Sequence, residues 1–107
     1  MTARTLISVP AGAKRGEVVE IKTLIAHPME TGFRVGTNGT PIPRDIITRF
    51  TCRFNGEEVF SAELSPAIAA NPFISFFVTA SESGTFGFEW TGDNGFSVSE
   101  TAAITVE

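Results

Sequence analysis

The sequence predicts an all-β domain, an immunoglobulin-like antiparallel β-sandwich of about seven strands. Three observations point there. Apolar and polar residues alternate in short runs along the whole chain. Gly, Pro and Asn interrupt those runs at the roughly 8–12-residue spacing of sandwich strands. Thr, Val, Ile and Phe supply most apolar and half-apolar positions, with ten Phe, one Trp and no Tyr.

The elements follow in order. "TLISV" (5–9) reads as a short first strand ended by Pro10. "GEVVEIKTLIA" (16–26) alternates, with Val19, Ile21, Thr23 and Ile25 on one face and Glu20 and Lys22 on the other. "DIITRFTCRF" (45–54) puts Phe50, Cys52 and Phe54 opposite Arg49, Thr51 and Arg53. Asn55-Gly56 then favours a type I′ turn, because both residues accept positive φ at low cost. With "EEVFSAEL" (57–64) this makes a hairpin over 45–64. "SPAIAANP" (65–72) suits one helical turn, with Ser65 as cap and Pro66 in first position. "PFISFFVTAS" (72–81) is a strand with apolar residues on both faces. "GTFGFEWTG" (84–92) aligns Phe86, Phe88 and Trp90. Asp93-Asn94-Gly95 is a tight turn, and "FSVSETAAITVE" (96–107) closes the chain as an edge or terminal strand. The expected core is Val19, Ile21, Phe50, Phe54, Phe60, Ile74, Phe76, Phe88 and Trp90.

A chain of 107 residues is one domain's worth, so a single domain over 1–107 is expected. It buries roughly 65% of its unfolded surface, enough for a core without staples. A net charge of −4 and a pI near 4.9 argue against nucleic acid and anionic membrane as partners. One cysteine excludes an internal disulfide. The stretch "MTARTLISVPAGAKRG" shows no secretory apolar run, and no segment approaches the ~20 apolar residues of a membrane helix. Residues alone therefore suggest a soluble cytoplasmic protein.

Two stretches depart from the pattern. "IAHPMETGFR" (25–34) gathers the only His, a Met, a Glu and an Arg. One His cannot found a copper site, which usually takes two His and a Cys, nor a zinc site. His27 has no evident catalytic partner. Cys52 sits between two core-facing Phe, where a thiol is an inert small hydrophobe. No metal, cofactor or catalytic residue is expected. Pro28 ends the strand and Gly32 lets the chain turn. Met29 and Phe33 are then expected to present apolar surface, beside His27, Glu30 and Arg34. Arg34, with Arg44, is a candidate to attract an oxyanion. The plain alternative is an ordinary strand connection. In "NPFISFFV", Ile74, Phe76 and Val78 share one face and Phe73, Phe77 and Thr79 the other. Exposed Phe pairs mark interfaces, so Phe73 and Phe77 are candidate partner contacts unless another segment covers them.

These residues carry a resemblance. "AHPMETGFR", "IPRDIITRFTCRFNGEEVF", "SPAIAANPFISFF", a Trp-bearing strand before "TGDNG", and a final "SVSE…ITV" are similar to the SoxZ family. SoxZ is the Z subunit of the SoxYZ thiosulfate-oxidation carrier. The likeness spans nearly the whole chain, although the basic spacer usual after HPMETG is here the more neutral "FRVGTNGTPIPR". The resemblance implies an Ig-like sandwich paired with a SoxY-like sandwich. SoxY's flexible C-terminal arm holds sulfur intermediates on a cysteine while other Sox enzymes act on them. It implies no reaction in this subunit. It also implies a periplasmic location, reached by export together with a signal-bearing partner. Direct sulfur chemistry at Cys52 and a generic interaction module are the alternatives.

Overall fold

The computed structural model describes residues 3–107; the first two positions of the expected domain lie outside the described residues. The strands are β1 (Thr5–Ser8), β2 (Gly12–Ala13), β3 (Val18–Ile25), β4 (Ile47–Phe54), β5 (Glu57–Glu63), β6 (Phe73–Thr79), β7 (Gly84–Gly92) and β8 (Ser97–Val106). They form two sheets, one ordered β1-β3-β6 and the other β2-β8-β7-β4-β5. This is the Ig-like sandwich that the alternation predicts.

The core lies between the sheets and is mainly aromatic. Phe50 stands at its centre, its ring 5.2–6.3 Å from those of Phe60, Phe76, Phe88 and Trp90. Phe60 of β5 stacks on Phe76 of β6 at 4.3 Å, nearly parallel. That contact lays β5, an edge of the large sheet, over β6, an edge of the small one. All nine expected core residues belong to this cluster, with Phe54, Phe60 and Ile74 only partly buried. Thr23 points inward and donates its hydroxyl hydrogen bond to the Ile74 carbonyl at 3.0 Å, which removes the cost of an unpaired buried hydroxyl. The Trp90 indole N–H, by contrast, is buried without an acceptor among the described residues.

The β4–β5 hairpin closes through Asn55 and Gly56, both at positive φ as the dipeptide requires. Asn55 also ties the hairpin to β7, accepting the Thr85 N–H on its Oδ1 and donating its own N–H to the Thr85 carbonyl. At Gly92, a side chain would run into the Ile46 carbonyl, so the chain crosses there only as glycine.

Four expectations need correction. Residues 65–72 form no helix: the Ile68 N–H reaches the Ser65 carbonyl and the chain simply turns. Pro72 allows too few residues for a nucleus, and Asn71 takes a left-handed φ of 55° instead. β2, only two residues long, was not anticipated, and it pairs in parallel with β8, so the sandwich is not purely antiparallel. β8 is therefore flanked on both sides, by β2 and β7, although β2 covers little of its length. Thr51, expected on the polar face of β4, is buried.

Candidate functional site

Residues 26–45 carry the chain from the small sheet to the large one, and they are built from the base upward. The Ala26 N–H donates to the Arg4 carbonyl at 2.8 Å. His27 and Asn71 bond reciprocally: the His27 N–H donates to Asn71 Oδ1 at 3.0 Å, and the Asn71 N–H to the His27 carbonyl at 2.8 Å. Pro28 then turns the chain, and Met29 adopts a left-handed φ of 50°. The bend aims both side chains inward. His27 Nδ1 accepts the Met29 N–H at 2.9 Å, and Met29 Sδ accepts the Ile47 N–H at 3.3 Å.

The expectation that His27 and Met29 face a partner is thus overturned. They are 5% and 4% exposed. A strand-terminal His can satisfy the next turn with its own ring, and hydropathy alternation carries no signal of this. His27 Nδ1 acts as acceptor, which assigns the proton of the neutral ring to Nε2. Nε2 lies 3.9 Å from Asp45 Oδ1, and the ring meets Phe96 edge-on at 4.8 Å. Burial pushes the His27 pKa down, while Asp45 and Asp93 pull it partly back.

Beyond Met29 the chain comes to the surface. Glu30 and Asp45 exchange two backbone hydrogen bonds at 2.8 Å each, closing the base of a projecting ribbon. Ile42 donates to the Arg34 carbonyl, and Val35 pairs with Pro41. Asn38-Gly39 lies in the tip, flanked by Val35 and Ile42, a hairpin signal that the sequence reading passed over. Phe33 is 84% exposed on this ribbon. Arg34 grips Glu30 through two hydrogen bonds of 2.6 and 3.3 Å. Arg44 grips Asp93 through two of 2.8 Å, and Asp93 also accepts the Ile46 N–H. These contacts hold the Glu30 and Asp93 carboxyls below their ordinary range. Neither guanidinium is therefore a free fork for an oxyanion, as had been expected of Arg34 and Arg44.

Among the described residues no three His, Cys, Asp or Glu side chains are grouped to hold a metal ion. Cys52 is buried between the sheets, and burial pushes its thiol up to about 12.

The second candidate is the outer face of the small sheet. Cross-strand register places Leu6, Leu24 and Phe73 in one row, with Phe77 opposite Glu20 and Val18 opposite Thr79. Phe73 is 61% and Phe77 67% exposed, and no described segment covers them. Leu6 and Val18 are exposed beside them. The outer face of the large sheet is polar instead, where Arg49 lies near Glu58 and Glu63, and Arg53 near Glu89.

Comparison with known proteins agrees with this architecture. A superoxide reductase (neelaredoxin) from Ignicoccus hospitalis superposes with a TM-score of 0.77 at 16% identity, covering 98% of this chain and 82% of its own. The sulfur carrier protein SoxY from Chlorobium limicola f. thiosulfatophilum superposes with a TM-score of 0.68 at 13% identity, covering 96% of this chain and 78% of its own. A protein from Thermotoga maritima described as a superoxide reductase gives 0.67 at 20% identity, covering 96% and 85%. At these identities the likeness concerns the fold alone. No curated protein matches by sequence. A model of the family described as sulphur oxidation protein SoxZ matches residues 7–103. The chain, a two-sheet sandwich, belongs to the SoxZ family of sulfur-oxidation proteins.

Proposed function

We propose that this chain is the non-catalytic subunit of a sulfur-substrate carrier. It pairs with a SoxY-like sandwich whose C-terminal cysteine arm carries sulfur intermediates during thiosulfate oxidation. The observation that carries the pairing is the contrast between the two outer faces. One is laced with Arg and Glu; the other, beside a single Glu20–Lys22 pair, offers Leu6, Phe73 and Phe77 to solvent. A stable partner removes that apolar area from water at about 25 cal/mol per Å². Phe73 and Phe77 are the permanent contact. Glu30, Phe33 and Arg34, on the projecting ribbon, are the transient contact for enzymes that service the carrier arm. His27 and Met29 hold that ribbon from beneath.

A non-catalytic role fits the chemistry of the side chains. The thiol of Cys52 stays protonated, and His27 Nδ1 is occupied by a backbone N–H. The reading places the protein in the periplasm, exported together with a signal-bearing partner, with neither nucleic acid nor membrane as a partner. The test is co-purification with a SoxY-like subunit. Phe77→Glu should weaken the complex at least ~10-fold, because a charge buried without a partner costs more than 1.4 kcal/mol. Complex formation at the wild-type level would overturn the assignment of this face.

A further inference from the structure

β6 is an open sheet edge, and the register shows which of its groups are open. The Ile25 N–H donates to the Pro72 carbonyl and the Ala80 N–H to the Glu17 carbonyl. Ile25 stands opposite Pro72 and Glu17 opposite Ala80, in phase with the β3–β6 register. In an antiparallel ladder such hydrogen-bonded pairs recur every second residue. The main-chain groups of Ile74, Phe76 and Val78 therefore face β3. Those of Phe73, Ser75, Phe77 and Thr79 face away from it, with no protein partner among the described residues.

Sheet edges are usually blunted by charge, Pro, bulges or shortness. β5 carries Glu57, Glu58 and Glu63, and its register with β4 is bulged. β1 is only four residues long. β6 has none of these: seven residues, "FISFFVT", without charge or proline, in unbroken register with β3. Four residues thus present both an outward side chain and an open row of hydrogen-bonding groups. Only an extended strand complements that combination.

We propose that β6 accepts an edge strand of the SoxY-like subunit, so that the small sheet continues across the interface. This rests on the pairing reading above and specifies its geometry. A second copy of this chain is a poor occupant. The stacking of Phe60 on Phe76 sets the acidic β5 edge over β6. Two copies joined through β6 would bring two rows of Glu57, Glu58 and Glu63 together, three carboxylates against the single Arg49 in each row, each chain also carrying a net charge of −4. A different sandwich, with neutral or basic residues flanking its own edge, avoids this repulsion.

Amide hydrogen exchange of the wild-type chain, alone and in complex with the SoxY-like subunit, tests the proposal. On complex formation the amides of Ser75 and Phe77 should exchange at least ~10-fold more slowly, while those of Phe76 and Val78, already bonded to β3, change less. Ser75→Pro removes one outward N–H, and a proline is tolerated at such an edge position. It should weaken the complex at least ~10-fold while the free variant keeps its denaturant midpoint. A complex in which the Ser75 and Phe77 amides exchange as fast as in the free chain overturns strand addition but leaves the pairing reading intact. No complex at all overturns both. Concentration-dependent protection of these amides in the chain alone would assign the edge to self-association and overturn the proposal.

Discussion

His27 is placed by what it accepts. Its Nδ1 receives the Met29 N–H, its Nε2 lies 3.9 Å from Asp45, and the Asp93 carboxylate adds a weaker pull toward the charged form. Protonation puts hydrogen on both nitrogens, so Nδ1 can no longer accept, and the turn at Met29 loses its bond. Burial holds the folded-state pKa below the ordinary 6.5. The unfolded chain therefore takes up this proton at a higher pH than the folded chain does. The stability that depends on neutral His27 is complete above about 6.5 and declines as pH falls below it. Glu30 and Asp93, held low by their arginines, contribute stability that is intact above the ordinary carboxylate range and is lost as pH falls through and below it. The denaturant midpoint of the wild type should accordingly drop between about pH 7.5 and about pH 5.5, and that of His27→Gln should drop less. Equal drops in both proteins would show that His27 is not the titrating group. Cys52 makes the opposite point: its thiol, pushed up to about 12, is packed rather than poised. Cys52→Ala should cost about 1 kcal/mol and leave thiosulfate turnover of a reconstituted Sox system nearly intact. Lost turnover in a folded variant would assign the thiol a chemical role.

At the scale of elements, the β4–β5 hairpin and β7 were legible because their signals are local. Asn55-Gly56 fixes a turn, and Phe86, Phe88 and Trp90 fix a face. The burial of His27 and Met29 was not legible. It depends on Asn71, 44 residues away, and on the N–H of Ile47. The same Asn71 explains why 65–72 is not a helix: its backbone and side chain are committed to His27. For β6 alternation identified the inward face correctly, since Phe76 is buried and Phe77 is not. Phe76→Ala should destabilise the fold by about 3–5 kcal/mol, because it removes the ring that stacks on Phe60 and touches Phe50. A change below about 1 kcal/mol in denaturant melts would show that the small sheet packs on the large one without this ring.

At the scale of the whole molecule, the chain is long and narrow, 59 × 21 × 19 Å. The radius of gyration of 16.2 Å exceeds the ~13 Å of a compact chain of this length. The apolar face belongs to the small sheet, whereas Phe33 stands on a ribbon anchored at its base by Glu30–Arg34 and Arg44–Asp93. The first pair lies within the ribbon, and the second ties its base to the turn after β7. An aromatic ring at 84% exposure adds little to the fold, which is why Phe33 is the residue proposed above as the contact for visiting enzymes. Phe33→Ala should leave stability within about 0.5 kcal/mol of wild type and assembly with the SoxY-like subunit unchanged. In the full Sox mixture it should slow the carrier cycle several-fold, since aromatic side chains dominate transient contacts. Met29→Ala is not an equivalent probe, because it empties part of the core and takes away the acceptor of the Ile47 N–H. If Phe33→Ala cycles at the normal rate, the ribbon is only a connection between β3 and β4, and the docking of Sox enzymes must be sought on the carrier subunit instead.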